Sequence, residues 1–467
     1  MTAPALVALG IAALCSWLSG ARTAVYLAYA CAYVPFITLD AAPGGLTGVG
    51  GFGGGNVRFK LAVRAACSAV LLACLARQRH AVQAILRVRH LPVLLLLAWS
   101  LAFVHRAQDP LVAAARLAEL GVFFLSGIAL YLESARHRSV TEVARWHACA
   151  IGILPVLALL FVQWQPSLAS HVDAAGLGRL GHKFLNANSL GFAAAILGLW
   201  SVSELRQLSV RTQAHSHLSA KALPLGALLV ATAVVYASRS RTALAALLVG
   251  LAIVLWPARG LSYGKVALLT LILACIASAQ SALTQWLLRG EQAADLATGT
   301  GRTALWSALL REQVPEAPLG GAGYLMLSSS GGFEHAGRVW NNAHNTYVGA
   351  LVAGGIPALL CVLAIVIAPL LAAGKRAREA RRSGDPELQA GWTLIHAFTV
   401  AVAVASITGF GVAGHPNPLM HFHYGLYGFV LASGPIFAQG NTAQPSLGAV
   451  TYGSAGSSIQ ATRRSAA

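Results

Sequence analysis

Apolar runs of membrane-spanning length recur along most of this chain, and they restrict its fold more than any other feature. About 20 apolar residues carry a helix across the hydrocarbon core of a bilayer. There each backbone N–H and C=O must find a partner within the structure, which helices provide internally. The runs fall at 4–20, 22–40, 59–76, 91–105, 111–132, 147–165, 189–205, 223–238, 242–257, 265–283, 346–373, 391–409 and 421–438. The first two are short and separated only by Gly20-Ala21-Arg22, so one of them is a candidate for half-insertion. The expected class is an all-α polytopic membrane protein of about twelve transmembrane helices. Composition agrees: 57% of residues are hydrophobic and 10% charged, where a soluble domain has about 25% charged. Residues 1–439 are expected to form a single transmembrane domain, and 440–467, rich in Gly, Ser, Ala and Thr, a disordered cytoplasmic tail.

The net charge of +18 is a topological signal, and no nucleic acid is expected as a partner. Basic residues crowd one set of short loops (Arg77 to Arg89, Arg136 to Arg145, Arg206 to Lys221, Arg259 with Lys265, Lys375 to Arg382), which marks that side as cytoplasmic. The other set holds the glycine-rich loop 43–55, the loop 166–188, the turn 238–241 and the long loop 284–345. That side is expected to be periplasmic, with short amphipathic helices in the long loop. An even span count puts the N-terminus inside, an odd count outside. The N-terminus lacks the basic segment of a cleavable signal peptide, so the first span is expected to be retained. The seven cysteines lie in or beside apolar runs without a C-x-x-C pair and read as small buried hydrophobes. The glycine-rich loop lacks the Lys-Ser/Thr of a phosphate-binding loop and reads as a connector.

Candidate chemistry gathers on the periplasmic side. Arg239 and Arg241 stand between two apolar runs, where the positive-inside rule disfavours them. They either snorkel to the interface or form a guanidinium fork for a phosphate group. Arg302 sits at the start of an expected helix whose face of Trp306, Leu309 and Leu310 is expected to lie on the membrane. Its place at a helix N-terminus favours an anion there. His344 precedes the run 346–373, with Asn345 as a possible N-cap and Tyr347 just beyond. A histidine can take a proton near neutral pH, or serve structurally. Arg179 and Lys183 add charge on the same side. Asn186 and Asn188 could bond sugar hydroxyls or cap the next span. His415, His421 and His423 have no carboxylate or cysteine near them in sequence, so no metal is expected.

These motifs resemble the O-antigen ligase and polymerase superfamily of bacterial envelope glycosyltransferases. The family's Ser-Arg-small-Ala-Leu element is matched by Ser240-Arg241-Thr242-Ala243-Leu244, with Arg239 a second possibility for the arginine. Its Gly-Arg followed by Trp is matched by Gly301-Arg302 and Trp306, and its Gly-x-Gly-Tyr/Phe by Gly321-Ala322-Gly323-Tyr324. His-Asn-x-Tyr and Gly-Gly-Ile-Pro are matched by His344-Asn345-Thr346-Tyr347 and Gly354-Gly355-Ile356-Pro357. The family usually has an acidic residue just before the last element, where this chain has Ala353-Gly354.

The resemblance implies a GT-C-like glycosyltransferase of the bacterial inner membrane, most like the O-antigen ligase, with its active site facing the periplasm. Its donor would be a glycan on undecaprenyl diphosphate and its acceptor a sugar hydroxyl of lipid A–core, with membrane lipids around it. The reaction would be inverting, with no cofactor, nucleotide sugar or metal. His344 would accept or orient the acceptor proton. Arg241 and Arg302, with Arg179 and Arg239, would bind the diphosphate. Asn345, Tyr347, Asn186, Asn188 and Trp306 would position substrate. A repeat-unit polymerase of the same superfamily shares these motifs. A flippase of lipid-linked glycans is the alternative of another class, but it should place its basic residues along the bilayer midplane and on both faces, whereas the candidates here crowd one face.

Overall fold

The computed structural model describes residues 20–33, 55–78, 81–107, 109–137, 140–164, 166, 170–172, 178–181, 185–211, 218–255, 302–324, 333–335, 338–340, 343–408 and 417–433. The helices among them are α1 (Gly20–Cys31), α2 (Gly55–Ala76), α3 (Ala81–Ile85), α4 (Leu91–Ala102), α5 (Pro110–His137), α6 (Val140–Trp164) and α7 (Ala187–Arg211). They continue with α8 (Leu218–Ser238), α9 (Arg241–Leu255), α10 (Arg302–Glu316), α11 (Thr346–Ser383), α12 (Pro386–Thr408) and α13 (Pro418–Ala432). Two short antiparallel hairpins interrupt them. β1 (Ser170–Val172) pairs with β2 (Gly178–Leu180) through His171 opposite Arg179, and β3 (Phe333–His335) with β4 (Arg338–Trp340) through Glu334 opposite Val339.

Eleven of the thirteen expected spans overlap a helix; the other two, 4–20 (but for Gly20) and 265–283, lie outside the described residues, as do 34–40, 165, 256–257, 409 and 434–438 at the ends of others. The connector 43–54, loop residues 284–301 and the tail 440–467 also lie outside them. Among the described residues, five helical segments are long and apolar enough to cross a membrane: Pro110–Glu133, Val140–Trp164, Lys221–Ser238, Thr346–Ser383 and Pro386–Ile407. Val63–Ala76, Leu91–Ala102 and Arg241–Leu255 are apolar but shorter. The protein is a multi-pass, mainly α-helical membrane protein.

Why other expected spans fall short can be read from the helices. α13 has 15 residues, about 22 Å of helix, and every one of them is buried. A helix apolar all round and enclosed by other helices belongs to the core. It packs closely on α5 because small residues face each other. A Cβ on Gly127 would collide with the Gly425 carbonyl, and one on Gly428 would stand 2.9 Å from the Ile128 amide nitrogen. α7 carries Glu204, Arg206 and Arg211 in its last turns.

Ties between helix ends sort the molecule into two faces. Thr141 Oγ1 at the start of α6 donates to the Glu387 carbonyl at the start of α12 (2.9 Å). Arg145 Nη2 donates to Glu204 Oε1 near the end of α7 (2.7 Å), and Arg206 donates to the Val254 carbonyl at the end of α9. Arg376 Nη2 of α11 donates to the Ser433 carbonyl after α13 (3.0 Å). This face carries the basic residues Lys375 to Arg382. They are not in a loop. α11 has 38 residues with a break at Gly355, and the part beyond the break, 356–383, alone rises about 42 Å, so its last turns leave a hydrocarbon core about 30 Å thick. The opposite face holds the starts of α7, α9 and α11 and the end of α8.

Candidate active site

On that opposite face, the first candidate group is built where α10 meets the start of α11. Leu305 and Leu309 of α10 are fully buried with Ala343 and Val352, and Trp306, Trp340 and Val348 pack beside them. The Trp306 indole Nε1 donates to the Ala343 carbonyl at 2.7 Å. The expected membrane-facing stripe is therefore corrected in part. Trp306 and Leu309 close onto the protein, because Ala343 and Val352 offer them an apolar seat, and only Leu310 stays exposed.

The docking brings Arg302, the first residue of α10, beside His344. Burial first, and then the Arg302 guanidinium, push the His344 imidazole down to about 4 from its usual 6.5. It is neutral at physiological pH and able to accept a proton. Its ring meets that of Trp340 edge-on, with centroids 5.9 Å apart. His344 has φ 48°, a left-handed conformation costing a non-glycine residue about 1–2 kcal/mol. Asn345 is the N-cap of α11. Its Oδ1 accepts from the Tyr347 and Val348 amides at 2.8 and 3.1 Å, which places its side chain in the cap. Tyr347 is half-buried against the main core.

The second group lies at the α8–α9 turn. Arg239 also has a left-handed backbone, φ 50°. Ser240 follows as the cap of α9, its Oγ accepting from the Ala243 amide at 3.3 Å, and Arg241 opens the helix. The order left-handed residue, capping residue, helix start is thus shared by Arg239-Ser240-Arg241 and His344-Asn345-Thr346. The first puts two arginines, and the second His344 with Arg302 beside it, at a helix N-terminus, where the helix dipole favours an anion.

Arg179 on β2 supports this turn. Its Nε donates to the Ser238 carbonyl (2.7 Å) and its Nη2 to Asn188 Oδ1 (2.9 Å). The same Asn188 oxygen accepts from Ser240 Oγ at 3.2 Å. Asn186 Oδ1 accepts from the Asn188 amide at 2.9 Å, capping α7, while its side chain remains exposed. Asn186 thus makes the expected cap, while Asn188 holds the α8–α9 turn, a use the sequence did not indicate.

A third feature ties the first group to the membrane helices. α11 breaks at Gly355 (φ 70°, ψ −166°), which leaves backbone groups without helical partners. The segment after α10 supplies them. The Ala322 amide donates to the Val352 carbonyl (2.8 Å), Gly323 to Ala353 (3.1 Å), and the Ile356 amide to Pro318 (2.8 Å). Trp99 Nε1 of α4 donates to the Gly354 carbonyl at 2.9 Å, and Arg106 Nη1 to the Gly321 carbonyl at 3.2 Å. Gly321 (φ 67°) lies so close that a Cβ would collide with the Ala353 and Gly354 backbone.

Residues 226–363 match the family model described as O-antigen ligase. The chain carries an O-antigen ligase family domain. No curated protein matches the chain. The family domain starts within α8 and ends within α11, so it contains Arg239, Arg241, Arg302, Trp306, His344, Asn345 and Tyr347. Arg179, Asn186 and Asn188 lie outside it. Arg338 and Lys183 belong to the same loops, but their side chains lie outside the described residues. Sequence reading missed Trp99 and Arg106, whose side chains donate to the backbone carbonyls of Gly354 and Gly321. The doubled glycines 320–321 and 354–355 were the available signal, since each demands a close neighbour. His421 and His423 do not converge. His421 Nε2 bonds the Tyr29 carbonyl and His423 Nε2 the Ile365 carbonyl, each at 3.2 Å.

Proposed function

We propose that the protein is an O-antigen ligase of the inner membrane, transferring a glycan from undecaprenyl diphosphate to a sugar hydroxyl of lipid A–core at the periplasmic face. The observation that carries this reading is Arg302 beside a neutral His344 at the mouth of α11, inside an O-antigen ligase family domain.

In the reaction the acceptor oxygen attacks the anomeric carbon, the bond from that carbon to the diphosphate oxygen breaks, and the configuration inverts. The diphosphate leaves with the bonding electrons. Arg302 and Arg241, with Arg239, stabilise the charge that grows on it, helped by the helix starts they occupy. His344 takes the acceptor's proton, or orients the hydroxyl as it attacks. A depressed imidazole is a weak base until the anionic donor arrives, and the donor's negative charge raises it. Arg179 acts one step back. Two of its donors hold the α8–α9 turn, so it sets the direction of Arg239 and Arg241 and adds positive charge behind them. Asn345 and Trp306 fix the His344 backbone through the cap and the Ala343 carbonyl. Tyr347, Asn186 and Asn188 are the remaining positioning residues, and the exposed amide of Asn186 is the one open to a sugar hydroxyl.

Complementation of a ligase-null strain by His344→Asn and Arg302→Ala tests the reading, with lipopolysaccharide and the lipid-linked pool read together. Loss of the ladder with accumulation of full-length donor, at normal protein level, is expected. Accumulation of single-repeat donor instead identifies a polymerase. A normal ladder from both variants overturns the proposed site.

A further inference from the structure

Three arginines and a histidine meet on the basic face, between α7, α11 and α12, opposite the groups described above. Arg381 of α11 stands within electrostatic reach of Arg206 on α7 and of His396 on α12, and Arg378 also reaches His396. Like charges brought together repel, and proteins usually pair such groups with carboxylates. Here Glu204 pairs with Arg145, and Glu379 with Lys375 and Arg376. Among the described residues no carboxylate pairs with Arg206, Arg378 or Arg381. Arg206 donates to the Val254 carbonyl, and Arg381 Nε is buried without a hydrogen-bond partner among the described residues. Arg206, Arg381 and His396 are half-buried and Arg378 is exposed, so the cluster opens to the surface.

Three helices give its depth. Counted from Ala187, where α7 starts on the opposite face, Arg206 lies about 28 Å along the helix. Counted from the break at Gly355, Gly374 lies about 28 Å along α11, and Arg378 and Arg381 about 34 and 39 Å. His396 of α12 is level with Gly374, because a Cβ on Gly374 would stand 3.1 Å from its Nε2. For a hydrocarbon core about 30 Å thick, His396 and Arg206 mark its edge and the other two arginines stand at the headgroup level. Basic pockets between transmembrane helices hold lipid headgroups there, and an arginine fork matches phosphate oxygens. Exposed Leu371 lies about two turns before Arg378 on the same side of α11, with exposed Ile367 about one turn before that. This apolar track leads from the cluster into the bilayer, where acyl chains lie.

We propose that Arg381, Arg206 and Arg378 form a binding site for a phosphate group, supplied by the headgroup of an anionic phospholipid, with His396 at its inner edge. The phosphate takes the place of the missing carboxylate, accepts from the guanidinium groups and offsets their mutual repulsion. Free phosphate has the same chemistry but makes no use of the apolar track. The inference does not depend on the transfer reaction.

The test uses the purified full-length protein in detergent, titrated with phosphatidylglycerol, inorganic phosphate and uncharged diacylglycerol. Arg381→Gln removes one of three mutually repelling charges, so the lipid-free variant should melt no lower than wild type. Its affinity for phosphatidylglycerol should fall about tenfold, Arg381→Lys should restore most of it, and diacylglycerol binding should not change. Phosphatidylglycerol bound more tightly than inorganic phosphate, with the loss in Arg381→Gln, assigns a lipid headgroup. Inorganic phosphate bound as tightly, with the same loss, assigns a phosphate site and overturns the lipid source. Equal binding of both by wild type and Arg381→Gln overturns the proposal. If the variant fails to fold, phosphatidylglycerol with a headgroup photolabel decides on the wild type. Labelling of α7, α11 or α12 near the cluster supports the site, and labelling only elsewhere overturns it.

Discussion

His344 and Arg239 hold left-handed backbone conformations that cost each about 1–2 kcal/mol, and each is followed by the residue that caps the next helix. Strain of this kind persists where its surroundings over-determine it, often at functional sites. Asparagine tolerates the left-handed region better than alanine. His344→Asn should therefore retain the wild-type melting temperature more nearly than His344→Ala, while both lose roughly a hundredfold or more in transfer rate. Thermal unfolding beside a transfer assay checks both parts. The pH dependence has a defined sign. Folded His344 binds its proton only near pH 4, while the unfolded residue does so near 6.5. Between these values the unfolded state binds more protons, so stability is level above about pH 6.5 and falls as the pH drops towards 4. Replacing His344 by Asn should narrow the difference in melting temperature between pH 7.5 and pH 5. An unchanged difference would show that His344 does not titrate this way.

At the scale of elements, the broken helix α11 decides how the loop is held. Gly355→Ala meets both an unfavourable φ and the Leu319 carbonyl. It should lower stability by more than about 1 kcal/mol, more than a Gly→Ala change at an ordinary site would. Trp99→Phe keeps an aromatic ring of smaller size and loses the bond to the Gly354 carbonyl, for a cost of about 1 kcal/mol or more, readable as a fall in melting temperature. These contacts also mark where sequence reading ends. Five of the spans were legible because hydrocarbon thickness sets their length, and Asn345 was legible as a cap because the run begins directly after it. The union of Gly321 and Gly323 with the break at Gly355 was not, since it joins segments about thirty residues apart through backbone groups alone. Nor was the inward face of α10. An apolar stripe looks the same whether it meets lipid or the Ala343–Val352 seat. The Arg179 clamp on the α8–α9 turn was legible only as nearby charge, because hydrogen-bond direction is a tertiary fact.

For the whole molecule, helix polarity separates a basic face from the face that carries the candidate groups. Under the positive-inside rule the basic face would be the cytoplasmic one. In a cysteine-free background, a cysteine at Arg311, exposed on α10, should be labelled by a membrane-impermeant maleimide from the periplasm. One at Arg382, exposed near the end of α11, should be labelled only after permeabilisation. The reverse pattern would place the candidate groups in the cytoplasm, away from a flipped donor. The account depends most on the α8–α9 turn and the α10–α11 mouth serving one diphosphate. Titrating a polyprenyl-diphosphate-linked glycan into the purified protein and into Arg241→Gln, Arg302→Gln and their double variant tests this directly. Each single variant should weaken donor binding about tenfold or more, and the double should depart from additivity, as groups sharing one ligand do. Donor binding that ignores either arginine would contradict a single shared site.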